Sequence, residues 1–123
     1  MSELQGVVVC HAALAGALVA AAEEISGVRG ALKPVSNIGC DRGALEERIL
    51  AAVGDRDTVV FVDMAAGSCL IAVLARLRER SNVKVVTGVN LAMLVDFVFH
   101  LSQAPDVAAS RAAAAGERAI KVP

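Results

Sequence analysis

Short runs of branched apolar residues alternate along the chain with longer segments whose apolar positions recur at helical spacing. The short runs predict strands at residues 5–10, 31–36, 58–63 and 83–87, with a last strand at 117–122. The longer segments predict helices at residues 12–26, 42–53, 67 to about 80, 91–101 and 105–115. This alternation is typical of a parallel sheet covered by helices on both faces. We therefore expect a doubly wound α/β fold with four mainly parallel strands and a C-terminal antiparallel edge strand.

Residues with special backbone preferences mark the ends of these elements. Gly27 and Gly54 follow the first two helices, where glycine readily adopts the left-handed conformation that ends a helix. Asp41 and Asn90 precede the second and fourth helices, and their side chains are good acceptors for free helical N–H groups. Pro34 lies inside the second strand and lacks a backbone N–H, so we expect this strand at an edge of the sheet.

The composition indicates one domain with a core of small side chains. Of the 123 residues, 56% are hydrophobic but only 2% are aromatic, so Ala, Val, Leu and Ile must fill the interior. This length suits a single domain over residues 1–123. Lys and Arg number 12 against 13 Asp and Glu, a net charge of -1 that offers no basic face to nucleic acid or to an anionic membrane.

Hydropathy and cysteine usage bear on where the protein resides. The mean hydropathy is +0.61, but the longest weakly polar stretch, residues 6–22, contains His11 and falls short of a membrane span of roughly 20 residues. The first five residues, MSELQ, contain no Lys or Arg, so we expect no secretory signal. Three cysteines without a CxxC pair argue against a disulfide framework. A cytoplasmic protein is expected.

The carboxyl ends of the predicted strands gather candidate chemistry at one edge of the sheet, where open parallel sheets bind ligands. These ends are residues 10–11, 37–41, 63–68 and 88–90, which brings His11 and Asp63 to the same edge. If a carboxylate accepts the N–H of one imidazole nitrogen, the other nitrogen is a nucleophile that can attack phosphorus. The pair is therefore a candidate phosphohistidine site.

A helix start adds a second element to this edge. Gly67, Ser68 and Cys69 open the third helix, where backbone N–H groups and the Ser68 hydroxyl can bind phosphoryl oxygens. Each residue also has a structural interpretation: the histidine as a loop residue, the aspartate as a turn residue, and the serine as an ordinary N-cap. From the residues alone, a generic α/β ligand-binding domain remains an alternative.

Three segments together resemble the mannose-type enzyme IIA family of the bacterial sugar phosphotransferase system, over nearly the whole chain. GVVVCH at residues 6–11 is similar to the apolar strand that ends in the family's phosphorylated histidine. VVFVD at 59–63, followed by AGS at 66–68, is similar to the family's strand followed by Asp-x-x-Gly-Gly-Ser-Pro. VTGVNLAML at 86–94 is similar to its Gly-Val-Asn-x-x-Met-Leu signature. Residues 35–37 and 45–49 also fit the family's second strand and helix.

The resemblance implies a role for each residue of the site. It implies that His11 is phosphorylated at Nε2 by the histidine carrier HPr and passes the group to a IIB domain, with Asp63 orienting the ring through Nδ1. It implies that Ser68, with the backbone of Gly67 and Cys69, holds the phosphoryl oxygens. Residues expected near the site are Cys10, Ala12, Asn37, Ala66, Gly88 and Asn90.

The resemblance also bears on partners. It implies a homodimer that exchanges the C-terminal strand at residues 117–122, and an indirect link to the membrane through a permease complex. It implies no metal and no cofactor. The chain also lacks a Gly-rich dinucleotide turn and a phosphate loop of the Gly-Lys-Ser/Thr type.

The chain departs from the family's pattern beside the expected site. Ala66 and Cys69 stand where the family has the first glycine and the proline of Gly-Gly-Ser-Pro. Ala12 follows the histidine, where many members have glycine, and Met64 and Ala65 fill the two variable positions after the aspartate. These changes concern the rate of transfer and the choice of partner more than the fold.

The remaining titratable residues suggest further interpretations. Cys10, Cys40 and Cys69 all map to the predicted edge, which leaves redox control or a Cys/His metal site open, although cysteine commonly serves as a small apolar residue. Their spacing matches no usual zinc pattern. His100, near the end of the fourth helix, is interpreted as structural or exposed, with Asp96 as a local partner.

Three functions are consistent with the sequence. The first is a phosphocarrier that serves sugar uptake. The second is a related phosphocarrier that acts on a regulator or in a dihydroxyacetone kinase, since residues 63–68 faintly resemble the Asp-Leu-Gly-Ser turn of the latter. The third is a non-catalytic binding module that keeps the fold.

Overall fold

Four strands and five helices make up the computed structural model, which describes residues 4–123. The elements are β1 (Gln5–Cys10), α1 (Leu14–Ser26), β2 (Leu32–Ser36), α2 (Arg42–Val53), β3 (Thr58–Val62), α3 (Ser68–Leu77), β4 (Val83–Thr87), α4 (Leu91–Phe97) and α5 (Pro105–Arg118). Residues 1–3, part of the segment expected to lack a secretory signal, lie outside the described residues. Within residues 4–123, no helix combines the length and apolar character needed to span a membrane.

The strands form one parallel sheet in the order β2-β1-β3-β4. In this register Val9 pairs with Val35 on one side and with Val62 on the other. The carboxyl ends of β1, β2 and β3 therefore lie level with one another, and the loops that follow them share one edge. The second strand lies at the side of the sheet, as its internal Pro34 predicts.

Each face of the sheet packs against its own helices because the side chains of a strand alternate. Val7 and Val9 point into the core formed with α2 and α3, whereas Val8 and Cys10 point into the core formed with α1, α4 and α5. Burial of one such valine contributes about 1.5–3 kcal/mol to folding. These two cores confirm the doubly wound arrangement.

The core on the α4 side contains an aromatic pair that requires a glycine. The rings of Phe61 and Phe97 meet edge to face with centroids 5.0 Å apart. A Cβ on Gly6 would lie 2.9 Å from the Phe97 ring and 2.6 Å from a Leu32 methyl group. The glycine in β1 therefore lets the ring and the methyl group pack directly onto the backbone.

The C-terminal region differs from the prediction in two places. Helix α4 ends at Phe97 instead of residue 101, because the chain turns there and the Leu101 carbonyl accepts a hydrogen bond from the Leu4 N–H at 3.1 Å. Helix α5 continues to Arg118, and the Ile120 N–H donates to the Glu117 carbonyl at 3.2 Å. The predicted strand at residues 117–122 is not present in the single chain, because no strand within residues 4–123 pairs with that segment.

Candidate active site

His11 and Asp63 lie side by side because β1 and β3 are adjacent and parallel. Each residue directly follows its strand, and both strands end at the same edge. The Asp63 Oδ2 atom accepts the backbone N–H of His11 at 2.9 Å and lies 2.9 Å from the ring Nδ1. One carboxylate oxygen therefore holds both the backbone and the imidazole of His11.

The ionised Asp63 determines which nitrogen of a neutral His11 ring carries the proton. The Asp63 side chain is only 10% exposed, against 38% for His11. Burial alone raises the pKa of Asp63, but the hydrogen bonds from the backbone and the ring of His11 outweigh it and lower the pKa. An ionised carboxylate only accepts hydrogen bonds, so Nδ1 carries the proton. The lone pair of the neutral ring is then on Nε2, which is the nucleophilic atom.

The start of α3 comes close to this nitrogen. Ser68 Oγ lies 3.5 Å from His11 Nε2. Gly67 is the N-cap with φ of 100°, and a Cβ there would lie 3.9 Å from Nε2. Among residues 4–123 no side chain caps this helix, so its first N–H groups are available to a ligand at a helix start that lies beside Nε2. Such a helix start stabilises negative charge, as on a phosphoryl group.

The turn after His11 is held by the end of β2. Ala12 has a positive φ of 53°, which costs an alanine about 1–2 kcal/mol. Its N–H donates to Asn37 Oδ1 at 2.9 Å, and its carbonyl accepts from Ser36 Oγ at 2.6 Å. Ser36 is not among the residues that the sequence indicated for the site, and its place at the end of β2 is the one signal in the sequence that it lies at this edge.

A second residue that the sequence did not indicate stabilises the same loop. Arg48, on α2, donates from Nη1 to the carbonyls of Ser36 and Ile38, both at 3.0 Å. No sequence motif marks this arginine, because its function depends on where α2 packs. It holds the loop that carries Asn37, and therefore indirectly the turn at Ala12.

Gly88 and Asn90, which were also expected near the site, follow β4 at the same edge of the sheet. Gly88 has φ of 74°, and the next residue, Val89, donates its N–H to the carbonyl at the end of β3. The Asn90 side chain caps α4 by accepting the Met93 N–H at 3.0 Å and donates to the Gly116 carbonyl at 3.1 Å. Its contacts among residues 4–123 join α4 to α5 and do not involve His11.

The other expected positions differ in how closely they approach the pair. Ala66 is an exposed residue of the loop between Asp63 and α3. Cys10 is fully buried beneath His11, on the opposite sheet face from Cys69. Cys40 is half-buried and, with Asn37 and Ser68, lines a cavity of about 100 Å³ beside the site.

The two buried thiols are poor nucleophiles. Burial, with the nearby negative charge of Asp63, raises the pKa of Cys10 to about 12. Burial and Asp63 also raise the pKa of Cys69. Both thiols therefore carry their proton at neutral pH, which argues against an attack by either sulfur on phosphorus.

Two further observations concern the histidines and possible ligands. His100 Nδ1 lies 2.8 Å from the Asp96 carbonyl and 3.8 Å from the Asp96 carboxylate, one turn earlier, so its contacts are local.

His11, Asp63 and Cys69 each offer one donor atom, and the three atoms lie within 4.8 Å of one another. This is a possible set of ligands for a metal ion.

One protein-family model matches most of the chain. Residues 5–115 match the family EIIA-man, described as "PTS system fructose IIA component". A search of curated proteins finds no match.

Several solved structures share the fold. The phosphotransferase system component EIIA from Streptococcus agalactiae is 18% identical, with a TM-score of 0.88 over 97% of this chain and 96% of that one. The mannose/sorbose specific IIA subunit from Enterococcus faecalis is also 18% identical, with a TM-score of 0.86 over 99% and 96%. A sigma-54 interaction domain protein from Enterococcus faecalis is 12% identical, with a TM-score of 0.76 over 95% and 93%.

Proposed function

The chain belongs to the EIIA-man family of phosphotransferase-system IIA components, and from that premise we propose that His11 is its phosphoryl carrier. Family membership supports a phosphotransfer role in that system. The proposal adds that an HPr-like protein donates the group to Nε2 and that a IIB domain receives it. The observation that carries it is the 2.9 Å contact of Nδ1 with Asp63, which leaves Nε2 free beside the start of α3.

The chemistry follows from this arrangement. The Nε2 lone pair attacks phosphorus and forms a nitrogen–phosphorus bond, while the bond from phosphorus to the donor's imidazole breaks and its electron pair returns to the donor nitrogen. The proton on Nδ1 stays in place. The ring of His11 gains positive charge, which the Asp63 carboxylate stabilises, while Ser68 and the first N–H groups of α3 bind the phosphoryl oxygens.

Exposed apolar side chains around His11 support a protein as the phosphoryl donor and acceptor. Leu14, Ile38, Met64 and Ile71 are between 43% and 57% exposed and lie on the segments that follow β1, β2 and β3. A cluster of this kind at a functional edge suits docking of another protein. A small substrate would instead require a deep enclosing pocket.

A homodimer through the C-terminal segment is part of the proposal. β4 lies at the side of the sheet, and Val85, Val86 and Thr87 line an open groove along it. Residues 119–123 are exposed at the end of α5. As a strand from a second copy, this segment would pair with the open edge of β4. Light scattering of the full chain should give a dimer, and a chain that ends at residue 118 should give a monomer.

Phosphate uptake tests the proposal directly. Incubation of the protein with phosphoenolpyruvate, enzyme I and HPr should add one acid-labile phosphate per chain. The variant His11→Ala should take up none, whereas the matched control His100→Ala, which changes the other histidine, should take up as much as the wild type. A wild-type protein that stays unmodified with several HPr proteins would contradict the proposal and favour a non-catalytic binding module.

We expect this chemistry in the cytoplasm, with contact to a membrane only through a permease complex.

A regulatory phosphocarrier is the second candidate. The similarity to a sigma-54 interaction domain protein, at a TM-score of 0.76, supports this alternative. Both candidates use His11 as the acceptor, so they differ in the next step. Rapid passage of phosphate from the phosphorylated protein to a IIB domain favours transport. Retention of the phosphate together with a change in the binding of a regulator favours control.

A further inference from the structure

Cys69 stands where the family's pattern has a proline, and it places a sulfur atom close to His11 and Asp63. Cys69 is the second residue of α3, fully buried, and its side chain faces the core under the site. One donor atom each from His11, Asp63 and Cys69 lies within 4.8 Å of the other two. An imidazole, a carboxylate and a thiol are all common ligands of zinc.

A second observation points independently to a ligand at this place. The Asp63 carboxylate is nine-tenths buried, and one of its oxygens, Oδ1, has no hydrogen-bond partner within residues 4–123. The other oxygen accepts both hydrogen bonds from His11. A buried carboxylate oxygen without a partner costs free energy, and a bound cation would remove that cost.

We propose that His11, Asp63 and Cys69 form a binding site for a zinc ion at the phosphoryl-acceptor edge of the sheet. Donor atoms around a tetrahedral zinc ion lie about 3.3–3.7 Å apart. The three donors therefore need to move by only about 1 Å to bind the ion. A thiolate and a carboxylate together balance its double positive charge. The thiol proton leaves to solvent when the sulfur–zinc bond forms.

The site leaves room for a fourth ligand and for entry of the ion. The His11 side chain is 38% exposed, so one side of the cluster faces solvent. Three protein ligands with an open fourth position, taken by water, are typical of zinc sites in enzymes. Thiolate and imidazole ligands favour zinc over magnesium or calcium, which prefer oxygen ligands.

Zinc and phosphate would compete for the same imidazole. Zinc bound at Nδ1 takes the place of the proton held there beside Asp63. That proton moves through solvent to Nε2, whose lone pair is then no longer available to attack phosphorus. Zinc should therefore inhibit phosphate uptake in proportion to its occupancy of the site. This inhibition depends on the proposed function, whereas binding of the ion does not, so the two are measured separately.

Binding is tested with the reduced full-length protein and no phosphoryl donor. Titration with Co²⁺, a spectroscopic substitute for zinc, should give thiolate-to-cobalt charge-transfer absorption in the wild type, and calorimetry should give one Zn²⁺ per chain. The variant Cys69→Ser should lose this absorption and bind Zn²⁺ more than about 100-fold less tightly, because loss of even an outer hydrogen bond to a ligand costs about 10–100-fold. The matched control Cys40→Ser, which changes a cysteine outside the cluster, should keep both signals.

A second variant tests the site without changing a buried core residue. His11→Ala changes a partly exposed side chain and should weaken Zn²⁺ binding as strongly as Cys69→Ser. Absence of cobalt–thiolate absorption in the folded wild type would overturn the proposal. Equal Zn²⁺ affinity of the wild type and either variant would overturn it as well. If binding holds but Zn²⁺ does not inhibit phosphate uptake by the wild type, the metal site stands and its competition with phosphotransfer is refuted.

Discussion

Replacing Asp63 by asparagine should slow phosphate uptake and should lower the free energy of unfolding by an amount that follows from the hydrogen bonds it makes. The carboxylate accepts two hydrogen bonds from His11, each 2.9 Å long. A hydrogen bond to a charged group contributes about 1.5–3 kcal/mol and one between neutral groups about 0.5–1.5 kcal/mol, so each bond loses about 1 kcal/mol. The free energy of unfolding should fall by about 2 kcal/mol, and Tm by about 8 °C for a domain of this size.

The pH dependence of this lost stability shows whether it comes from the charge of Asp63 or from the shape of its side chain. Because the fold lowers the pKa of Asp63 below its ordinary value of 3.8, its charge stabilises the protein above that pH. The stabilisation is lost as pH falls through the lowered pKa. Denaturant unfolding at a series of pH values should therefore show wild type and Asp63→Asn differing most near neutrality and converging below pH 3.8.

A second aspartate provides the control for this experiment. Asp96 also lies beside a histidine, but its carboxylate is 3.8 Å from His100 Nδ1, too far for a hydrogen bond. Asp96→Asn should lower the free energy of unfolding by less than Asp63→Asn does, because its carboxylate makes no hydrogen bond to His100, and it should leave phosphate uptake unchanged. Equal stability of the wild type and Asp63→Asn at neutral pH would refute the reasoning about the charged hydrogen bonds.

Three other substitutions test the backbone around the site. Gly67→Ala should cost about 1–3 kcal/mol, because φ is 100° there, and should slow phosphate uptake because the new Cβ lies 3.9 Å from His11 Nε2. Ala12→Gly should raise the free energy of unfolding by up to about 1 kcal/mol, since glycine accepts φ of 53° without strain; a lower stability would contradict this. Gly6→Ala should lower the free energy of unfolding in denaturant by about 1–3 kcal/mol, because its Cβ would lie 2.9 Å from the Phe97 ring. An unchanged denaturation midpoint would contradict this and show that the ring moves away at little cost.

Local signals in the sequence predicted most of the fold. Asp41 and Asn90 cap α2 and α4 with hydrogen bonds of 2.8 and 3.0 Å to the N–H groups of Ala44 and Met93, as their positions predict. The strand order also agrees with Pro34 at the side of the sheet. These features depend on residues close in sequence, or on the alternation of strands and helices, and both are visible without a structure.

The C-terminal region could not be predicted in the same way. Residues 117–122 have the apolar pattern of a strand, but a strand forms only where a partner edge pairs with it. In the single chain the last turn of α5 instead takes up residues 117 and 118. The early end of α4 likewise depends on the contact between Leu4 and Leu101, which are distant in sequence.

In the candidate site, too, some features follow from local sequence signals and others depend on contacts between residues distant in sequence. The rule that parallel strands end at a common edge placed His11 next to Asp63 and near Ser68 from the sequence alone. It could not show that Ser36 holds the Ala12 carbonyl, or that Asn90 is directed toward α5. Those contacts depend on side-chain direction after packing, which neither residue type nor spacing determines.

The most direct measurement is the position of phosphorus on the His11 ring. Protein labelled with ¹⁵N in its histidines and phosphorylated through HPr should show phosphorus–nitrogen coupling at Nε2 in proton–nitrogen correlation spectra. Nδ1 should keep its proton, held by the Asp63 carboxylate at 2.9 Å. Coupling at Nδ1, or phosphate found only on another residue, would contradict the account.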